Sequence, residues 1–359
     1  MTTIASAAAT QEVVGGVDTH KDTHTAAVLD TAGRVLGTEQ FAATAAGYAA
    51  LLRWLKGHGR LLKVGVEGTG VYGAGLAEHL QHQHIALVEV DRPDRKTRRF
   101  QGKSDPIDAV AAARAALADV ATGTPKQRGG PIDALRTLRV ARRDAVDARA
   151  SVMRRIKALV VTAPEVLRAQ LKGLPDSELI STCAALRPAV GDPHDLAVAD
   201  PTIAAKVALR TLSRRYRQLT GDIAELDTLL TPLVAALAPD LLAKQGVGAD
   251  VAGQLLVTAG DNPQRLRHEA AFAALAGVSP IPASSGKTSG RHRLNRGGDR
   301  NANCALYRVT LSRMRWDPRT RAYVERRTKE GLSKKEIIRC LKRYIARELY
   351  RDLQAAGTA

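Results

Sequence analysis

Aromatic residues are scarce in this sequence: Phe, Trp and Tyr together make up 3% of 359 residues. Cysteine is scarcer still. Cys183, Cys304 and Cys340 are far apart and odd in number. They spell neither a disulfide framework nor a cysteine-based zinc site, and they fit a reducing cytoplasm. No run of about 18 apolar residues is present, which excludes a transmembrane helix on pattern. The opening MTTIASAAAT lacks both a basic stretch and an apolar core, so it is not read as a secretion signal. Acidic residues are the last shortage, 36 against 54 Lys and Arg, leaving a formal charge of +18. With 45% hydrophobic and 25% charged residues the composition is that of a globular protein. Its length suits two or three domains at roughly 100–200 residues each. A globular chain this basic is expected to meet an anionic polymer, and a secreted enzyme or a membrane protein is not.

The charge is unevenly spread. Residues 1–124 are neutral overall, 125–240 carry +5, and 241–359 carry +13. These thirds also differ in pattern, and they are taken as three domains. In the first, VVGGVD (13–18), THTAAVLD (23–30) and RVLGTEQFA (34–42) read as strands, the last two as an antiparallel pair. A helix over 46–58, a buried strand KVGVEG (63–68), a helix near 72–83 and a strand IALVEV (85–90) follow. Ser104 sits as an N-cap before a helix running to about 119, with Ile107, Ala111 and Ala115 on one face. Three strands followed by α/β alternation predict a mixed sheet flanked by helices.

The second third predicts two long helices, 131–160 and 202–237, separated by a stretch containing Pro164, Pro175, Pro188 and Pro193. Leu138, Ala145, Val152 and Leu159 recur every seven residues in the first, with Leu135 and Ile156 on the same side. Leu209, Leu212, Leu219, Ile223, Leu226 and Leu230 mark the second. An antiparallel coiled-coil hairpin and an ordinary bundle subdomain both fit. The last third predicts mainly helix: 303–315, 317–330 and 333–352 follow a glycine-rich basic loop, SSGKTSGRHRLNRGG (284–298).

Four acids stand where a metal would need them. Asp18 ends the first strand and Glu67 ends KVGVEG, so adjacent strands would bring both to one sheet edge. Asp105 and Asp108 are three apart at a helix start, hence on one face. Together they offer oxygen ligands for two Mg²⁺ ions, which could clamp the attacking and leaving oxygens of a phosphodiester. The other reading is that acids near a helix start merely stabilise it. His20 and His24 lack further zinc ligands nearby and are placed on the surface or behind the acids. In the basic loop, Ile281 stands where a phosphate-binding P-loop would need glycine, and GxSxG is absent, so neither ATP binding nor esterase chemistry is supported. Ser284 and Ser285 lie among Lys287, Arg291, Arg293, Arg296 and Arg300. A serine hydroxyl there is either a nucleophile toward a phosphodiester or a plain phosphate contact. Upstream, the Gly-Val-Gly turn of QGVGADVAGQLL (245–256) is either a phosphate contact or a helix-to-helix turn.

These motifs together resemble one family. GVDTHKDTH with Asp18, GVEGTG with Glu67 and KSDPIDA with Asp105 and Asp108 look like the DEDD domain of Piv-type insertion-sequence transposases. LAGVSPIPASSGKTSGRHRLNRGGDRNANCALY resembles the second domain of the same family. The order also matches, and the likeness extends from about residue 12 to 350. The resemblance implies an RNase H/RuvC-like first domain whose acids coordinate Mg²⁺. It further implies a serine, matched by Ser285, that forms a covalent phosphoserine linkage with DNA, with Ser284 as its neighbour. Relatives of this kind include transposases guided by a structured bridge RNA that pairs with donor and target DNA. A dimer or tetramer with sites shared across subunits, in a bacterial cytoplasm at the nucleoid, is implied as well. A metal-only Holliday-junction-type nuclease and an inert nucleic-acid-binding scaffold are the competing readings.

Overall fold

The computed structural model describes residues 11–90, 104–120, 122–189, 200–283, 292–293, 295 and 297–356. The chain packs into two compact units. One comprises residues 1–130 with 259–268, the other 131–258 with 269–359. The expected helical spacer and the C-terminal domain therefore fall largely in one unit. A ten-residue segment of the C-terminal third joins the first unit. There the Asn262 side chain donates to Pro125 O at 3.0 Å and accepts from Gln127 N at 2.9 Å.

The first unit is built on a six-stranded sheet of order β3-β2-β1-β4-β5-β6. β1 (Glu12–Thr19), β2 (Thr23–Asp30) and β3 (Val35–Ala42) form an antiparallel meander. β4 (Arg60–Glu67) runs parallel to β1, and β5 (Leu87–Val90) parallel to β4. β6 (Thr122–Gly123) closes the edge antiparallel. β1 and β2 are buried almost throughout, as central strands covered on both faces must be. On one face α1 (Ala45–Gly57) and α2 (Ala74–His82) bury Leu51, Leu52, Leu55, Leu76 and Leu80 against Val13, Val17, Val64 and Val66. On the other lies α3 (Asp105–Ala118), whose Ala109 and Ala113 meet Ala27 and Leu29. This mixed sheet with helices on both faces is consistent with the RNase H/RuvC-like architecture expected.

Ser104 is the N-cap of α3 as read from the sequence, and one detail, the packed face, departs from that reading. Ser104 takes the extended N-cap conformation, but its side chain makes no capping hydrogen bond. The buried face is Asp108, Ala109, Ala112, Ala113 and Ala116, while Ile107 is exposed. In a helix that is mostly alanine, hydrophobic periodicity carries no phase, and closeness of approach decides which face packs. Gly16 and Gly65 set that closeness. A Cβ on Gly16 would lie 2.6 Å from Ala113 Cα and closer still to Ala113 N and Ala109 O. One on Gly65 would lie 2.7 Å from Ala112 O.

In the second unit, α4 (Pro131–Thr162) and α7 (Pro201–Leu237) pack antiparallel. Arg142 meets Asp227 near one end, Arg149 lies over the Tyr216 ring, and Val152 and Ile156 share a cluster with Leu209 near the other. Of the seam expected in α4, Leu135, Ala145, Val152 and Ile156 are buried, whereas Leu138 and Leu159 are half-buried flanks. In α7, Leu209, Ile223 and Leu230 are buried. Asp200 caps α7, accepting from Thr202 N at 2.6 Å and Ile203 N at 3.2 Å. Between the two, α5 (Glu165–Leu171) and α6 (Asp176–Ala185) fill the hairpin's closed end with Leu167, Leu171, Leu179 and Ile180. After α8 (Pro239–Leu242) and α9 (Ala249–Ala259) come α10 (Glu269–Leu275) and a short antiparallel pair, β7 (Ile281–Pro282) and β8 (His292–Arg293). The tail folds as α11 (Arg300–Trp316), α12 (Pro318–Lys329) and α13 (Lys334–Ala355), the last opened by a Ser333–Glu336 capping box. No helix among the described residues is long and apolar enough to cross a membrane.

Candidate active site

The acids of the first unit converge because of strand register. Val17 pairs with Val66 across parallel β1 and β4, so the next residues, Asp18 and Glu67, stand side by side. Alternation along each strand puts them on the same face as Gly16 and Gly65, the face that carries α3. The first turn of α3 brings Asp105 and Asp108 to that face. Asp18 and Glu67 are each 7% exposed and Asp108 4%, whereas the Asp105 side chain keeps 41% of its surface. Three nearly buried carboxylates at one end of a sheet would be costly without cations or hydrogen bonds to compensate them. Thr19 Oγ1 donates to Glu67 O at 2.8 Å and ties the two strand ends together.

The tightest grouping includes a residue that spacing alone does not single out. His20 Nδ1 lies 3.8 Å from Asp18 Oδ2, and its Nε2 lies 3.9 Å from Asp105 Oδ1. Asp18, His20 and Asp105 each present a ligand atom within 4.8 Å of the others. Glu67 and Asp108 lie on the same face as this group. The signal is present in the sequence: His20 stands two residues past Asp18, in the tight turn from β1 into β2, where His20 N donates to Thr23 O. The donor set, mainly carboxylate oxygen with one imidazole, fits a divalent cation.

His24 corrects an expectation. It is fully buried rather than on the surface, and its ring stacks on Tyr48 at 5.5 Å with planes 9° apart. Burial pushes its pKa below the ordinary value, against the raising effect of its hydrogen bond to Thr23 O; the nearby His20 lowers it further. Nδ1 must donate to that carbonyl, so the neutral ring carries its proton there. The loop after Glu67 is fastened from below. Gly68 adopts φ +77°, Gly73 N donates back to Gly68 O, and Thr69 Oγ1 donates to Glu89 Oε1 at 2.5 Å. Val71 and Tyr72 are left exposed beside the acids.

In the second unit, Ser284, Ser285, Lys287, Arg291 and Arg296 lie outside the described residues. Arg293 lies on β8 and Arg300 opens α11, both exposed. At the Gly-Val-Gly turn, Gly246 adopts φ +81°, and Asp250 sits in the first turn of α9, ion-paired with Arg139 and Arg308. An acid thus occupies the helix start where a phosphate would have been held. Cys183, Cys304 and Cys340 are all free thiols.

Comparison with known proteins adds an independent line. Residues 15–163 match a family model of IS110-type DEDD domains, described as a transposase. Residues 239–325 match one described as the transposase IS116/IS110/IS902 family. A 42 kDa protein of insertion element IS900 from Mycobacterium paratuberculosis is 27% identical over 143 residues, 39% of this chain and 36% of the relative. A 43.6 kDa protein of insertion element IS110 from Streptomyces coelicolor is 35% identical over 95 residues, 26% of this chain and 23% of the relative. The matches thus span about a third and a quarter of those relatives' lengths. The two family models fall on separate stretches in the expected order, and the first contains Asp18, Glu67, Asp105 and Asp108. The chain belongs to the IS110 family of DEDD insertion-sequence transposases.

Proposed function

We propose that this chain is a DNA transposase that cuts and rejoins strands through a carboxylate-held metal site and a serine nucleophile. The observation that carries this reading is the convergence of Asp18, Glu67, Asp105 and Asp108 on one face and one end of the sheet. Asp18, Glu67, Asp105 and Asp108 would hold Mg²⁺, two ions in the full arrangement. Bound there, the metal would neutralise charge on a phosphodiester and orient its oxygens. Asp18 and Glu67, held on paired strands, give that site a rigid floor. α3 supplies the opposite wall through Asp105 and Asp108.

Ser285 is the proposed nucleophile. Its Oγ would attack a DNA phosphorus while the bond from that phosphorus to a deoxyribose oxygen breaks. The serine proton leaves, and the displaced sugar oxygen takes up a proton to become a hydroxyl. The phosphoserine ester conserves the energy of the broken bond. A 3′-hydroxyl on the partner strand can therefore attack it and restore Ser285 without ATP. Lys287, Arg291, Arg293, Arg296 and Arg300 would hold the phosphates. The partners in this reading are donor and target duplex DNA, a structured bridge RNA that pairs with both, and further copies of the chain in a dimer or tetramer. The α4–α7 hairpin would serve as its coiled-coil spacer.

The test is trapping of covalent protein–DNA adducts on labelled terminal-end DNA with the co-purified RNA retained. Ser285→Ala should abolish adducts while nucleic-acid binding persists. Adducts that survive in that variant would reject Ser285 and move the role to Ser284. A metal-only nuclease would cut without any adduct in the wild type.

A further inference from the structure

The second unit contains a cavity of about 730 Å³ between the approach to β7, β8 and the first half of α13. That volume is in the range of small-ligand and nucleotide sites, roughly 300–1,000 Å³. Its lining is cationic: Arg293, Arg327, Arg339, Lys342 and Arg343 against one carboxylate, Glu336. The pairing of these groups is uneven. Arg343 is held by Glu269, Arg327 donates through one terminal nitrogen to Glu330, and Glu336 closes the capping box with Ser333. Lys342 is only 8% exposed, yet its ammonium meets no carboxylate among the described residues and donates to Asn303 Oδ1 at 2.7 Å. Among the described residues Arg327 Nε is buried with no acceptor, and Arg293 and Arg339, which line the same cavity, have no carboxylate partner.

A buried ammonium without a counter-ion is costly, and the cost falls if an anion completes the site. Burial and the neighbouring Arg339 both pull the Lys342 pKa below its ordinary value. Tyr344, 55% exposed and edge-on to Tyr323 at 5.8 Å, supplies an aromatic surface at the same cavity. Its position beside β8 decides which anion is at hand. His292 and Arg293 follow directly in sequence on the loop that carries Ser285.

We propose that this cavity binds the backbone phosphate of a DNA strand leading to the serine loop, with Lys342 and Arg339 as positioning residues and Tyr344 stacking against an adjacent base. The proposal rests on the transposase reading for the identity of the strand. Its test needs neither the serine nor the metal. Binding of a fluorescein-labelled single-stranded DNA oligonucleotide, and of the RNA of the same sequence, is measured against salt in EDTA. The proteins are full-length wild type, Lys342→Met and Arg339→Gln.

Each variant should bind the DNA about 10-fold more weakly at low salt. The slope of log affinity against log salt should fall by about 0.7 for a lost phosphate contact. Lys342→Arg should restore most of both. The thermal midpoint of ligand-free Lys342→Met should hold or rise, because an uncompensated buried charge is gone; a purely structural lysine would lower it. Arg339 is exposed, so Arg339→Gln reports even if Lys342→Met folds poorly. DNA affinity and slope unchanged in Arg339→Gln, or a loss confined to RNA, would overturn the cavity assignment. Adducts that persist in Ser285→Ala would instead overturn the serine mechanism and leave the cavity result standing.

Discussion

Gly16→Ala is the smallest change that tests how the site is assembled. The added Cβ would sit 2.6 Å from Ala113 Cα and closer to two further backbone atoms of α3, against an ordinary contact limit of 3.4 Å. To reach even that limit from Ala113 Cα, helix and strand must part by at least 3.4 − 2.6 = 0.8 Å. No flexible side chain can absorb the shift, because the atoms met are backbone. Overpacking of a tight core costs about 1–3 kcal/mol, and an all-backbone clash belongs at the upper end or beyond. The same movement draws Asp105 and Asp108 away from Asp18 and Glu67, so metal affinity should fall along with stability. Gly57→Ala is the matched control in the same unit. Nothing lies within 4 Å of the point its methyl would occupy, and it ends α1, where alanine gains up to about 1 kcal/mol of helix propensity.

The assay is urea unfolding followed by Trp54 fluorescence in a Trp316→Phe background. Trp54 packs against the core of the first unit and is then the sole tryptophan. Gly16→Ala should lower the unfolding free energy by at least about 2 kcal/mol, with Gly57→Ala unchanged or slightly more stable. A Gly16→Ala protein within about 0.5 kcal/mol of its parent, the range of neutral surface changes, would refute the claim that close helix approach builds the site.

Two further predictions concern the carboxylates and His24. Asp18→Asn should weaken Mg²⁺ and Mn²⁺ binding by calorimetry, and His20→Ala should weaken Mn²⁺ by about 10–100-fold and Mg²⁺ less, because imidazole suits the softer ion. Equal affinities in wild type and Asp18→Asn would remove the metal role. The depressed pKa of His24 means that the unfolded chain binds a proton more readily than the folded one. Stability of the first unit should therefore fall as pH drops below about 6.5, the ordinary histidine value, and level off below the folded pKa. His24→Phe, which keeps a ring against Tyr48, should flatten that dependence in denaturation midpoints taken across pH; an unaltered slope would place its origin elsewhere.

Much of the first unit was legible because its signals are local. The runs read as strands over 13–18 and 63–68 are short, apolar and bounded by turn residues, and they overlap β1 and β4, although β1 runs one residue past Asp18 and β4 begins three residues earlier than read. What was illegible depended on approach in space. The packed face of α3 could not be phased from an alanine-rich segment. His24 has the composition of a surface turn but lies on the Tyr48 side of the sheet, because β2 is covered on both faces. The return of residues 259–268 to the first unit rests on Asn262 satisfying two backbone groups more than 130 positions away, which no periodicity records.

In the sequence the excess of cations in the C-terminal third is a single net figure, +13 over residues 241–359, but the structure divides it. Arg313 makes a two-pronged pair with Glu348, at 2.6 and 2.9 Å, and also donates to Gln245 O. That hydrogen-bonded guanidinium holds the Glu348 carboxyl below its ordinary pKa. Arg308 is committed to Asp250, Arg343 to Glu269, and Arg326 with Arg327 to Glu330. These arginines already have internal partners, and a phosphate would have to compete with a carboxylate for them. Arg293, Arg339 and Lys342 are different: they face one cavity and meet no carboxylate among the described residues. If net charge alone governed nucleic-acid affinity, neutralising Arg308 or Arg339 would cost the same. Because one is paired and the other is not, Arg339→Gln should lower the salt slope while Arg308→Gln, measured in the same titration, should barely move it.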